Sequence, residues 1–386
     1  MARAMGKANP VTAQPRILIL SVPNGAAHQR AAVALEKALT SLNPSIRAEV
    51  VDAIAHCTAW FRAYYGSYVI PLYLWPGLWG WIESKQYQGE STGPGWLYRR
   101  GAQPLFRFFR EATPDAVIAT EVGALELAAL YKREAKARFR LVGVELMDFN
   151  RAWIQPEVDL LLATNEDMAA ELVSAGAPAS KVVVTGQPVD PVFASLPSRA
   201  AAREKLGLRN QAVQILVTLG SQGFGKPELI LNEILKVPRP LEVTIIAGRN
   251  RQVETRLRKR YQGVPQVRVL GWVDNMQEWM AASDLMISKP GGATLNEGFA
   301  CGLPLLAFNP FPGNEERTCR WMERRGAGIW IKKPEDLVPS LTNLLTHPGQ
   351  LDALRARVRE FGHPNSARNS ALAVMKLLGG EPSPQA

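Results

Sequence analysis

The sequence predicts an α/β protein made of two doubly wound domains in tandem. Three observations carry this reading. Short apolar runs alternate with longer stretches of helical composition, the pattern of a parallel sheet with helices on both faces. The alternation runs through the first half and then restarts near Val213. Between the two series, the stretch from Pro188 to Leu208 carries Pro188, Pro191 and Pro197 and reads as a linker. A length of 386 residues suits two domains of roughly 100–200 residues each.

The first series opens with Arg16 to Val22 (RILILSV), a buried strand followed by a tight Pro23-Asn24-Gly25 loop. Gln29 to Leu42 has helical composition and no interior Gly or Pro. Ala48 to Ala53, Asp115 to Thr120, Arg140 to Leu146 and Leu160 to Thr164 are the further strands. In the second series, Val213 to Leu219 ends in Gly220-Ser221-Gln222-Gly223, and Leu241 to Ala247 leads into Gly248. Val267 to Leu270, Leu285 to Ser288 and Leu305 to Asn309 complete it. Two such domains are expected to face each other across a cleft.

Composition removes several alternatives. Apolar residues at 47% and charged residues at 21% are a globular balance, not that of a disordered chain. Cys57, Cys301 and Cys319 are far apart and form no CxxC pair, which argues against a disulfide framework or structural zinc and fits a reducing compartment. The net charge of +10 gathers at Arg99-Arg100 with Arg107 and Arg110, from Lys132 to Arg140, and from Arg249 to Arg260. Such clusters favour phosphates, nucleic acid or acidic lipid, and they equally suit a solvated surface. No nucleic-acid-binding motif accompanies them, so no nucleic acid partner is expected. Residues from Met1 to Pro15 lack the apolar core of a secretory signal, and no run reaches the ~18 apolar residues of a spanning helix. Any work at a membrane is expected from its cytoplasmic surface.

Tyr64 to Trp81 (YYGSYVIPLYLWPGLWGW) interrupts the α/β pattern. It is dense in aromatic side chains, which favour the water–lipid interface, and is followed by Trp96 and the Arg99 to Arg110 basic stretch. It reads either as a lipid or membrane contact or as the aromatic wall of a pocket.

The stretch from Ser288 to Thr318 (SKPGGATLNEGFACGLPLLAFNPFPGNEERT) is the most informative. A strand leads into Pro290-Gly291-Gly292-Ala293-Thr294, and a helix starting near Thr294 carries Glu297. Glycines let a ligand approach the backbone, and a helix start offers unpaired N–H groups, which suits a diphosphate. A carboxylate one turn into the helix accepts both hydroxyls of a ribose, or simply stabilises its own helix. Asn314, Glu315 and Glu316 follow in a loop suited to sugar hydroxyls.

The pattern KPGGATLNE…GLPLL…PFPGNEE resembles the donor-binding motif of GT-B glycosyltransferases, a fold of two Rossmann-like domains facing a cleft. It is most similar to the monogalactosyldiacylglycerol synthases and processive diacylglycerol glucosyltransferases, family 28-like enzymes, and more distantly to the lipid II UDP-GlcNAc transferase. Trp153 to Phe193, ending in G-x-P-x-x-P-x-F, resembles the family's interdomain passage. Leu219 to Gly225 (LGSQGFG) resembles its glycine-rich turn, and Tyr64 to Trp81 its aromatic segment on the lipid-acceptor side. The resemblance runs in order from about residue 16 to 375.

It implies an inverting transfer of a hexose from a UDP-sugar to a diacylglycerol-like lipid, with no obligatory metal and no cofactor beyond the UDP-sugar substrate. It further implies a peripheral protein on an anionic membrane surface. Residues 1–195 would form the acceptor-binding domain, 196–361 the donor domain, and 362–386 a helix and tail returning to the first. Gly220, Ser221, Gln222 and Gly223 would face the diphosphate together with Gly291 to Thr294, and Glu297 would hold the ribose. Gly271 to Met276 (GWVDNM), with Trp272, Val273 and Met276, stands where relatives bind uracil, near Gly248. The acceptor side would include Gly25, Tyr73, Trp75, Trp79, Asp148 and Trp153. His28 lies after the first strand, where the family has a G-x-G-H motif, and is the candidate general base. As a lone residue it also reads as a surface histidine in a first helical turn.

The sequence departs from the pattern at three places. Ala27 replaces the second glycine of G-x-G-H. Where relatives have T-D-x-x-x-H-x-x-W, alignment on Trp153 puts Asn150 at the His and Leu146 at the Asp, with Asp148 two residues away. Thr318 stands where relatives often have Asn. These changes leave two alternatives: a polyprenyl-linked or soluble acceptor, or a UDP-sugar-binding protein without turnover.

Overall fold

The computed structural model describes residues 14–380 apart from 23–25, 68–73, 76, 79–84, 86–88, 90–92, 148 and 221–225. Its strands form two six-stranded sheets, in which every pairing is parallel. The first contains β1 (Arg16–Ser21), β2 (Arg47–Asp52), β3 (Ala116–Ala119), β4 (Arg140–Val144), β5 (Leu160–Ala163) and β6 (Val182–Val184), in the order β2-β1-β3-β4-β5-β6. The second contains β7 (Val213–Thr218), β8 (Leu241–Ile246), β9 (Val267–Leu270), β10 (Leu285–Ser288), β11 (Leu305–Phe308) and β12 (Ile329–Ile331), in the order β12-β11-β10-β7-β8-β9.

Both faces of the first sheet are covered at its centre, which is why β3 and β5 read as unbroken apolar runs. Leu18, Leu20, Val117 and Ala119 share one face with Phe106, Phe109, Leu125 and Tyr131. Ile17, Ile19, Ala116 and Ile118 share the other with Ala31, Leu35 and Leu39 of the helix Ala26–Leu42. Those helical residues recur every four positions, so one stripe is buried. The last helix, Ser366–Leu377, adds Ala367, Ala371 and Val374 to the same face. In the second sheet, Ile215, Val217, Val243, Ile245, Leu285 and Ile287 form an equivalent core.

Contacts divide the chain into two compact units. One comprises the described residues of Met1–Ser67, Gln86–Pro188 and Ala367–Ala386; the other those of Tyr68–Lys85 and Val189–Ser366.

Two features differ from the sequence reading. Arg199–Leu206, read as linker, is a helix: the Ser198 side chain caps its start and Gly207, at φ 63°, ends it. Its Arg203 donates to the Ala282 carbonyl at 2.9 Å and to Asp284 at 2.6 Å, contacts that no local pattern announces. The edge strands β6 and β12 were not expected, because three residues are too short to stand out as an apolar run. The three cysteines are free thiols, and burial pushes those of Cys57 and Cys319 up to about 12. Among the described residues, no helix is long and apolar enough to cross a membrane.

Candidate functional site

In each sheet the strand order reverses once, and ligands of doubly wound folds bind outside the carboxyl ends of the strands at that point. In the second sheet the reversal lies at β7, with β8 on one side and β10 on the other. Thr218 and Ser288, the last residues of β7 and β10, join hydroxyls at 2.7 Å. Beyond them the chain emerges as Leu219-Gly220 and as Lys289-Pro290-Gly291. Gly220 is exposed with φ 69°, a conformation that disfavours any residue with a Cβ.

Gly291 begins the helix Gly292–Ala300, and no side chain caps its first N–H groups. Ala293 is buried and Thr294 half-buried in its first turn, and Glu297 is buried one turn on. Asn314, Glu315 and Glu316, expected in a loop, form the first turn of the helix Asn314–Arg325, and from there Glu315 reaches the Gly291 turn. Its Oε1 lies 3.6 Å from the position a Gly291 Cβ would take and 3.5 Å from Lys289 Nζ. Its Oε2 accepts the Phe311 N–H at 2.7 Å. Lys289 Nζ also sits 3.7 Å from the centre of the Phe311 ring. Burial lowers the Lys289 pKa, and Glu315 opposes that shift. Glu315 is therefore engaged within the protein, while half-buried Asn314 and Glu316 begin the helix Asn314–Arg325. Thr318 is buried and donates to the Asn314 carbonyl at 3.1 Å.

At the same end of the sheet, across β7 from this turn, the ends of β8 and β9 frame an open depression of about 610 Å³ lined by Gly248, Arg249, Leu270, Gly271, Trp272 and Val273, with Arg251, Glu254 and Arg258. The Arg249 guanidinium lies 4.2 Å from the Trp272 ring centre, and Trp272 Nε1 donates to Asp274 at 2.7 Å. The half-buried Met276 opens the next helix. The second sheet thus gathers Gly220, Gly248, Trp272, Val273, Pro290 to Thr294 and Glu297 at one end. Sequence reasoning passed over Lys289 and Arg249; each stood beside a residue it did select.

In the first sheet the reversal lies at β1, between β2 and β3. His28, in the first turn after β1, places Nδ1 2.6 Å from the carbonyl oxygen of Thr120, which follows β3. Of the other acceptor-side residues, Trp75 and Trp153 are described. Trp153 is buried in the core, 2% exposed, with its ring against Gly143 of β4. That burial is at odds with a contact to an entering acceptor. Asn150 is buried and accepts the Ala152 N–H at 2.9 Å, and Leu146 is buried as well. Trp75 is 58% exposed. Gly25, Tyr73, Trp79 and Asp148, with Ser221, Gln222 and Gly223 of the donor side, lie outside the described residues. Among the described residues, no group of three or more His, Cys, Asp or Glu is placed to hold a metal ion.

Comparisons with known proteins accord with these two ends. Residues 28–189 match the monogalactosyldiacylglycerol (MGDG) synthase family, and residues 214–351 match the glycosyltransferase family 28 C-terminal domain. A processive diacylglycerol beta-glucosyltransferase of Staphylococcus epidermidis is 28% identical over 236 residues, 61% of this chain and 60% of that protein. One from Staphylococcus haemolyticus is 30% identical over 58% of each chain. The matches to these relatives therefore span about 60% of their length. One from Bacillus mycoides is 25% identical over 96% of this chain and 95% of its own. Among solved structures, MurG of Acinetobacter baumannii superposes with a TM-score of 0.64 at 16% identity, covering 94% of this chain and 99% of that one. The UDP-GlcNAc 2-epimerase of Neisseria meningitidis, bound to UDP-GlcNAc, gives 0.59 at 17% identity, covering 94% and 100%. Likenesses at that identity establish the shared GT-B fold of two Rossmann-like domains. The chain thus carries a region similar to the MGDG synthases, residues 28–189, followed by one matching the glycosyltransferase family 28 C-terminal domain, residues 214–351, on a GT-B fold.

Proposed function

We propose that the chain is an inverting hexosyltransferase that moves a sugar from a UDP-hexose to a diacylglycerol-type lipid at an anionic membrane surface. The observation that carries the donor half is the uncapped helix start at Gly291, flanked at the sheet reversal by the left-handed Gly220 and followed by the buried Glu297. Backbone N–H groups there stabilise the charge that grows on the leaving diphosphate without a resident metal, and the Glu297 carboxylate takes the ribose. The Trp272–Val273 depression takes uracil. Residues 1–195 supply acceptor binding and the base, and 196–361 the donor site. Structural neighbours solved in complex with UDP or UDP-sugars support the donor class. The names of the relatives support the acceptor class.

The test is transfer of label from UDP-glucose, UDP-galactose and UDP-GlcNAc into a total lipid extract. A labelled lipid from one donor is expected; UDP binding with no labelled lipid would remove the reading. The donor assignment has its own check. Glu297→Gln is expected to weaken UDP about 10–100-fold by calorimetry, since a hydrogen bond to a charged group is worth roughly 1.5–3 kcal/mol. Unchanged affinity would leave Glu297 as a helix residue only.

The membrane half rests on the first unit. Trp60 and Tyr64, four residues apart on the helix Ala59–Gly66, are exposed, as are Trp96 and Arg100 on the helix Gly95–Gly101. The two helices pack closely because residue 101 is glycine: a Cβ there would lie 2.2 Å from the Phe61 ring. Arg100→Gln is expected to weaken binding to vesicles containing anionic lipid about fivefold at low salt, at about 1 kcal/mol per basic residue near such a surface. Vesicles of neutral lipid bound equally well would contradict an electrostatic contribution.

A second reading keeps the donor chemistry and changes the acceptor. It is favoured by the burial of Asn150 and Leu146, which stand where relatives carry an acid–base pair.

A further inference from the structure

At the reversal of the first sheet, one residue touches His28 in two ways. The Thr120 carbonyl oxygen lies 2.6 Å from His28 Nδ1. The Thr120 hydroxyl, on a residue with no exposed surface, lies 3.1 Å from the His28 carbonyl oxygen and 3.2 Å from that of Leu20 at the end of β1. A carbonyl oxygen can only accept a hydrogen bond, so the first contact requires the proton on Nδ1. Nε2 is then left with its lone pair free to accept.

We propose that Thr120 is the positioning residue that sets the tautomer of His28, its carbonyl holding the Nδ1 proton and its hydroxyl pinning the helix start to β1. This deepens the reading of His28 as general base and rests on it. In the reaction, the acceptor oxygen forms a new bond to the anomeric carbon and its proton passes to Nε2. The bond from that carbon to the diphosphate oxygen breaks, and UDP leaves with the electron pair. An imidazole carrying its proton on Nε2 could not take that proton.

The adjacent carboxylate does not compete for this role. Glu121 Oε1 accepts the Tyr65 hydroxyl at 2.8 Å, and Oε2 accepts the Ala124 N–H at 2.8 Å as cap of the helix Val122–Ala135. The partner of His28 is thus a neutral peptide carbonyl. It orients the ring without adding a second charge beside the imidazolium formed in the transition state.

The test reads the tautomer directly. The intact protein is labelled with ¹⁵N at its histidine rings, and His28, one of four histidines, is assigned by its loss in His28→Ala. Nδ1–H is expected in the wild type; a ring found as Nε2–H would overturn the proposal. Thr120→Val removes the hydroxyl and keeps the branched shape, and Thr120→Ser restores a hydroxyl. The valine variant keeps the carbonyl and loses only the hydroxyl anchor, so it is expected to retain Nδ1–H while lowering kcat about 10–100-fold, as misplacement of a catalytic group does. Its UDP affinity should be unchanged, and serine should recover most of the rate. A valine variant that binds UDP normally and keeps kcat would overturn the positioning role of Thr120. If His28→Ala retains transfer, the base reading fails instead, and the tautomer result tells the two failures apart.

Discussion

His28→Ala is expected to lower kcat for sugar transfer by about 10²–10⁴-fold, the usual contribution of a positioned general base. The acceptor is a hydroxyl, a poor nucleophile until its proton is removed. The donor residues named here all lie in the second unit, whereas His28 lies in the first. UDP affinity should therefore stay within about twofold, as the loss falls on an interaction made only in the transition state. Steady-state transfer and calorimetry on the same preparation check this. Retained transfer would return His28 to the surface-histidine reading that its half-burial alone permits.

The second large effect is on stability. Asp284, just ahead of β10, is bonded by Arg203 at 2.6 Å and Arg199 at 3.0 Å, and Arg355 approaches it at 3.7 Å. It also accepts the Gln214 N–H at 2.9 Å, tying the start of β10 to β7. The side chains of Asp284, Arg203 and Arg355 are only 14%, 8% and 12% exposed. Burial and the nearby Arg355 lower the Arg199 pKa, a sign of crowded cations that Asp284 offsets. Asp284→Ala would leave buried guanidinium groups without that carboxylate. The expected cost is about 3–5 kcal/mol. That corresponds to a fall of about 6–20 °C in the thermal midpoint for a unit of this size. Lys205→Ala is the control: its partner is Glu278, but the lysine is 65% exposed, so a change within about 1 kcal/mol is expected. A loss no larger than the control's would reduce the Asp284 cluster to surface-grade ion pairs. Because Asp284 lies at the opposite end of β10 from Lys289 and Gly291, UDP affinity below the transition should survive the change.

The strand–glycine–helix turn at Gly291 was legible from local sequence because each requirement there is local. A strand end, glycines and a helix start are contiguous between Leu285 and Ala300. Lys289 was not selected, because its importance comes from Phe311 and Glu315, more than twenty residues away. Trp153 failed in the other direction. Its place in a motif suggested contact with a ligand, yet its ring fills the space left by Gly143 on a neighbouring strand.

Alternating apolar runs and helical stretches were sufficient to determine that the chain builds two parallel sheets, since both periodicities are properties of neighbouring residues. Strand order was left to the tertiary structure. That β7 lies between β8 and β10, and β1 between β2 and β3, is settled by pairing between segments tens of residues apart. This order brings Gly220 beside the Gly291 turn and His28 beside Thr120. The physical reason is that a backbone hydrogen bond between strands depends on which edges meet, and no residue's own preference specifies its neighbour across the sheet.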